Sequence, residues 1–152
     1  MLILEVLLGL KSKQGDVNAA FLHAYLGEDE KVFVNTPRGF EVKGKNNRNN
    51  ILKLKKTLYG LCQSPISFWK YMTSKMELCV MVQSNMDPCL FIEERVMAII
   101  YVDDILFWSM DVNAIHDKAI KLREKGVNLE QEDDAEGFLG VTLGCDETTG
   151  LM

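Results

Sequence analysis

A chain of 152 residues, 47% hydrophobic and 26% charged, has the length for one ordinary core and the composition of a globular protein. That excludes two independent domains, a disordered chain and a membrane-spanning one. The formal charge of −5 hides a division: residues 42–76 contain eight Lys and Arg and no acid, leaving −13 on the remainder. A basic surface of this kind suits a polyanion, and an acidic remainder suits divalent cations or solubility. On charge alone, a solvated lysine-rich loop explains the basic stretch equally well.

The opening run from Met1 to Leu10 is interrupted by Glu5 and lacks a basic leader. It is too short to span a membrane and reads as the start of an amphipathic helix that packs on the rest of the chain. Cys62, Cys79, Cys89 and Cys145 form no Cys-x-x-Cys, and only His23 and His116 are available as further soft ligands. The spacing argues against zinc and a disulfide framework and for a reducing, intracellular setting. Asp16 follows the helix at the end of a short extended segment. By itself it reads as a cap or turn residue.

Residues 31–35 (Lys-Val-Phe-Val-Asn) are β-prone, residues 44–50 are a polar turn, and residues 51–55 partly alternate apolar and basic. Together they predict a hairpin with a basic outer face. Ser64 followed by Pro65 predicts a helix start with Ser64 as N-cap, running to about Val80. Phe68, Trp69, Met72 and Met76 then recur at helical spacing as core. A second helix is expected from about Asp111 to Lys125, ending before Gly126, with Val112, Ile115, Ala119 and Leu122 buried and its charges solvated.

Between these helices, residues 96–102 and 105–108 are apolar runs flanking Asp103 and Asp104. The pattern predicts a tight hairpin with both aspartates at its tip, because Asp tolerates the positive φ of such turns. An Asp-Asp pair is in most settings simply a turn. Here the apolar walls raise the cost of ionising two adjacent carboxylates unless a cation joins them. Magnesium takes such hard oxygen ligands, and a third carboxylate would make a two-metal site. Spacing alone cannot bring Asp16 to residues 87 positions later.

Seven blocks occur in an order that resembles a copia-type retrotransposon reverse transcriptase. They are residues 16–22 (Asp-Val-Asn-Ala-Ala-Phe-Leu), 37–40 (Pro-Arg-Gly-Phe), 52–61 (Leu-Lys-Leu-Lys-Lys-Thr-Leu-Tyr-Gly-Leu), 63–65 (Gln-Ser-Pro), 87–91 (Asp-Pro-Cys-Leu-Phe), 101–105 (Tyr-Val-Asp-Asp-Ile) and 138–141 (Phe-Leu-Gly-Val). The resemblance covers nearly the whole chain. It implies an α+β fold, a polymerase palm with an antiparallel sheet backed by helices, plus a partial inserted fingers hairpin. The palm would take about residues 1–28 and 64–145 and the fingers insertion about 29–63, with no thumb or RNase H domain.

The same resemblance implies RNA-directed DNA polymerisation by two magnesium ions, or manganese, held by Asp16, Asp103 and Asp104. Val17, Phe21, Gly60, Gln63 and Tyr101 would contact the nucleotide, with Phe21 under the sugar to exclude a 2′-hydroxyl and Tyr101 on the same strand face as Asp103. Plain core packing is the alternative for Phe21. Lys43, Lys45, Arg48, Lys53, Lys55 and Lys56 would meet nucleic-acid phosphates, and Phe138, Leu139 and Gly140 would grip the primer. The expected partners are an RNA or DNA template, a DNA primer, deoxynucleoside triphosphates and the other retrotransposon polyprotein domains, with no membrane. The pattern departs from the family at Cys62 and Ile66, where Lys and Arg are usual, and the upstream fingers strands are missing. A remnant without turnover that binds nucleic acid through its basic segment, or has no selected role, is the competing expectation.

Overall fold

The computed structural model of the chain describes residues 2–41, 44, 50–131, 137–138 and 141–142. A helix, α1 (Leu2–Leu8), leads into strand β1 (Lys11–Val17) and a single 3-10 turn at Ala20–Leu22. A small hairpin follows, β2 (Phe33–Asn35) against β3 (Ile51–Lys53), as the sequence predicts. Then come helix α2 (Ser64–Leu78), strands β4 (Val82–Gln83), β5 (Leu90–Ile92), β6 (Met97–Tyr101) and β7 (Asp104–Ser109), helix α3 (Val112–Glu124) and strand β8 (Leu129–Gln131). Strands β9 (Gly137–Phe138) and β10 (Val141–Thr142) form a last antiparallel pair.

Six strands make one sheet in the order β4-β5-β6-β7-β1-β8, every pairing antiparallel. The fold is therefore mixed, a mostly antiparallel sheet with few helices. Strand β7 is apolar on both faces because both are buried beyond Asp104, whereas β6 is fully buried only on the face of Ala98 and Ile100. Ala98, Ile100, Ile105 and Phe107 join Val17 and Leu129 in the main core, with Phe68, Met72 and Met76 of α2 and Ile115, Ala119 and Leu122 of α3. On the opposite face Leu106 and Trp108 pack with Leu10, Met97 and Ile99.

Helix α1 is tied to that second face by one side chain. The Glu5 carboxylate accepts from Ser12 Oγ at 2.6 Å and from Trp108 Nε1 at 2.8 Å. The expected packing of an amphipathic face is not what holds it, since Ile3, Leu4, Val6, Leu7 and Leu8 are all exposed. Among the described residues no helix is long and apolar enough to cross a membrane.

Three local expectations are corrected. Ser64 is the first residue of α2 and not its N-cap; it is fully buried and its hydroxyl donates to the Leu58 carbonyl at 2.6 Å, so the preceding loop claims it. In α3, capped by the Asp111 carboxylate on the Asn113 N–H, Val112 is exposed and Ala114 and Lys118 are buried instead. Lys118 is not solvated: its ammonium donates to the Cys79 carbonyl at 2.9 Å and lies 3.4 Å from Glu93. A long side chain can thus enter the core when its charged end is met there.

Candidate active site

Strand β1 lies between β7 and β8, and its register decides what the acidic residues can do. Asp16 is directly opposite Asp104 on β7 and opposite Glu130 on β8. Asp104 is in turn opposite Tyr101 on β6. Residues directly paired across antiparallel strands share a face, with Cβ atoms about 4.5–5.5 Å apart. Tyr101, Asp104, Asp16 and Glu130 therefore form a row across four strands. The row has the same strand parity as Leu106 and Trp108, so it lies on the face opposite α2 and α3. Like charges facing each other across strands work against the sheet.

The turn of the carboxylate hairpin is Val102-Asp103, because Tyr101 and Asp104 close it as a pair. This corrects the expected tip: Asp104 is already the first residue of β7, and Val102, not an aspartate, takes the positive φ of 56°. Tyr101 accordingly shares its face with Asp104 by direct pairing, and not with Asp103 by strand alternation. Asp103 is joined to the site through its backbone, its carbonyl accepting the Val17 N–H at 2.8 Å. Asp16 and Asp104 are thus paired, and the Asp103 backbone is joined to Val17, across a separation of some 87 residues of sequence. Among the described residues no group of three or more His, Cys, Asp or Glu side chains is gathered to hold a metal ion. What the fold supplies is adjacency of hard oxygen donors, the donor type that magnesium takes.

Gln14, two residues before Asp16 and on the same face, adds to that set. Its Nε2 donates to Asp104 Oδ1 at 3.2 Å, and its Oε1 is buried without a hydrogen-bond partner. Neither Gln14 nor Glu130 is singled out by the sequence. The signal for Gln14 is the two-residue strand period from Asp16; Glu130 is visible only once β8 is paired.

The remaining expected contacts are distributed around this row. Val17 is buried in the helix-side core, and its backbone N–H donates to the Asp103 carbonyl. Phe21 is half-buried, with its ring 4.9 Å from Tyr59 and edge-on to Phe68 at 6.0 Å. Thr57, missed in the sequence, fixes this segment: its buried hydroxyl donates to the Phe21 carbonyl and its N–H to Ala24 O at 3.0 Å. Gly60 has φ +91°, and a Cβ there would meet nothing within 4 Å. Gln63 is half-buried at the start of α2.

Burial pushes the Tyr71 phenol above its ordinary pKa, and its hydroxyl donates to Gly126 O at 3.0 Å. Burial likewise raises the thiols of Cys79 and of Cys89, the latter also beside Asp87, which disfavours thiolate at either. Lys53, Lys55 and Lys56 are exposed, Lys56 Nζ lying 5.2 Å from the Tyr25 ring. Lys43, Lys45 and Arg48 lie outside the described residues. So do Leu139 and Gly140; Phe138 is paired with Val141 in the β9–β10 ladder.

A model of the reverse transcriptase (RNA-dependent DNA polymerase) family matches residues 2–151. The chain belongs to the reverse transcriptase family. Its relatives place the chain among the copia type. It is 31% identical to the retrovirus-related Pol polyprotein from transposon TNT 1-94 of Nicotiana tabacum, over 98% of this chain and 11% of that protein. It is 32% identical to the corresponding polyprotein from transposon RE1 of Arabidopsis thaliana, over 85% of this chain and 9% of that one. Identity to the Ty1-GR3 Gag-Pol polyprotein of Saccharomyces cerevisiae is 29%, over 80% and 7%. The chain therefore spans about a tenth of the length of the curated relatives it matches.

Proposed function

We propose that this chain carries the catalytic centre of an RNA-directed DNA polymerase, with Asp16, Asp103 and Asp104 as ligands for two magnesium ions or for manganese. The observation that carries the reading is the direct pairing of Asp16 with Asp104 beside the turn residue Asp103, in a member of the reverse transcriptase family. The donor set fits: adjacent carboxylates on one face, with the orphaned Gln14 oxygen buried beside them. Divalent ions bound there would favour ionisation of the primer 3′-hydroxyl and neutralise charge on the nucleotide phosphates.

The chain's own residues would position the reactants. The primer 3′-oxygen attacks the α-phosphorus in line, a new P–O bond forms and pyrophosphate leaves. Tyr101, beside Asp104, would touch the primer end, and Gly60, with open space where a Cβ would stand, would let the nucleotide approach backbone. Phe21, braced by Tyr59 and Thr57, would close off the sugar edge against a 2′-hydroxyl. The palm would comprise about residues 1–28 and 64–145. The fingers insertion, about residues 29–63, would meet template and primer phosphates through its lysines.

The test is incorporation of labelled deoxynucleotide on an RNA template with a DNA primer and magnesium. Partners one shell removed from a metal change activity by about 10–100-fold. Asp16→Asn or Asp103→Asn is therefore expected to lower incorporation by at least about 100-fold. Equal signals from wild type and either variant would sink the assignment. A second reading, binding without turnover, draws on the absence of a gathered three-carboxylate group among the described residues. It predicts retention of a primer-template duplex with no incorporation by wild type.

A further inference from the structure

Gln14 occupies a place that folding alone does not favour. It is 7% exposed, on the central strand of the acidic row, and one end of its amide is satisfied while the other is not. Turning the amide over gives no relief. An ionised carboxylate accepts only, so the nitrogen must face Asp104, and Oε1 is left buried without a donor. A buried acceptor without a donor opposes folding, because its desolvation is not repaid. An apolar side chain of the same length would fill the site without that penalty, beside Leu106, its partner in the β1–β7 register.

We propose that Gln14 is a positioning residue for divalent-cation binding at the acidic row. Its Nε2 holds one oxygen of Asp104 and so restrains the rotation of a carboxylate that is paired directly with Asp16. Its Oε1 is an acceptor that the water shell of a bound cation can satisfy, since magnesium keeps several of its waters. The role follows from the strand geometry: residues 14 and 16 project from the same face, and Asp104 lies diagonally from the first and directly across from the second. The inference rests on the catalytic reading above, because it takes the cation site of that reading as given.

Gln14→Met keeps the length of the side chain and removes both polar atoms. Manganese titrated alone into the whole chain, followed by calorimetry or by the paramagnetic signal of the free ion, is expected to bind Gln14→Met about 10–100-fold more weakly than wild type. Thermal unfolding without metal is expected at the wild-type temperature or above, because the orphaned oxygen is gone. Wild-type affinity in Gln14→Met, with Asp16→Asn and Asp104→Asn weakened, would overturn this role and leave the catalytic reading standing. So would a lower unfolding temperature, which would make Gln14 a structural residue. Manganese affinity unchanged in Asp16→Asn and Asp104→Asn would overturn the catalytic reading together with this one.

Discussion

At Val102 the carboxylate hairpin adopts a conformation that its own side chain opposes. A β-branched residue at φ 56° is a steric outlier, and strain of that type costs on the order of 1–3 kcal/mol. The turn has only two residues between the paired Tyr101 and Asp104, so the strain sits next to Asp103. Val102 is itself partly exposed, and little apolar burial offsets the strain. Replacing Val by Gly in an ordinary strand loses stability; here Val102→Gly is expected to leave the free energy of urea unfolding unchanged or to raise it by as much as about 1 kcal/mol. A loss of 1 kcal/mol or more would show that the turn is unstrained. The sequence shows that a hairpin carries the aspartates, since two apolar runs bracket them. It does not show which residue takes the left-handed φ. Local preference assigns it to aspartate, and the register set by the whole of β6 and β7 assigns it to valine.

Among the elements, the junction of β1 with β8 is the one that sequence patterns miss and the site depends on. Strand β8 is three residues long and pairs across more than a hundred positions, so no local period announces it, whereas β6 and β7 are evident from their own apolar composition. Helices α2 and α3 are legible for the same local reason, their buried stripes recurring at helical spacing. The errors at Ser64 and Lys118 come from tertiary partners, the Leu58 and Cys79 carbonyls, that lie on other segments. At the β1–β8 junction, Gly15 is the enabling residue. A Cβ there would stand 2.8 Å from Leu129 Cδ1 and 3.2 Å from the Glu130 carbonyl. The first contact can yield because leucine is flexible; the second is backbone and cannot yield without moving β8. Gly15→Val is therefore expected to destabilise the chain by about 1–3 kcal/mol through overpacking. Hydrogen exchange would show the loss first in residues 129–131, and undiminished protection there would mean that β8 does not need the close approach.

At the scale of the whole molecule, the division of charge along the chain falls on different elements of the fold. The acidic row lies on the central sheet, and the described lysines of the basic stretch before α2, Lys53, Lys55 and Lys56, are exposed on β3 and the segment that follows it. They stand among exposed rings at Tyr25, Phe33 and Tyr59, and Lys56 covers the ring of Tyr25. Positive charge interleaved with aromatic surface suits phosphate contacts made without regard to sequence, as a template-directed polymerase requires. Such contacts release counterions, so the logarithm of affinity falls with the logarithm of salt by about 0.9 for each phosphate neutralised on a duplex. Binding of a primer-template duplex to this chain is expected to show that dependence. Replacing Lys53, Lys55 and Lys56 together by alanine should reduce the slope by about 2–3 while leaving the unfolding temperature within about 2 °C, since exposed lysines contribute little to folding. The measurement is fluorescence anisotropy of a labelled duplex from low to physiological salt. A slope unchanged by the triple substitution would remove the β2–β3 hairpin and the segment after it from the proposed nucleic-acid surface.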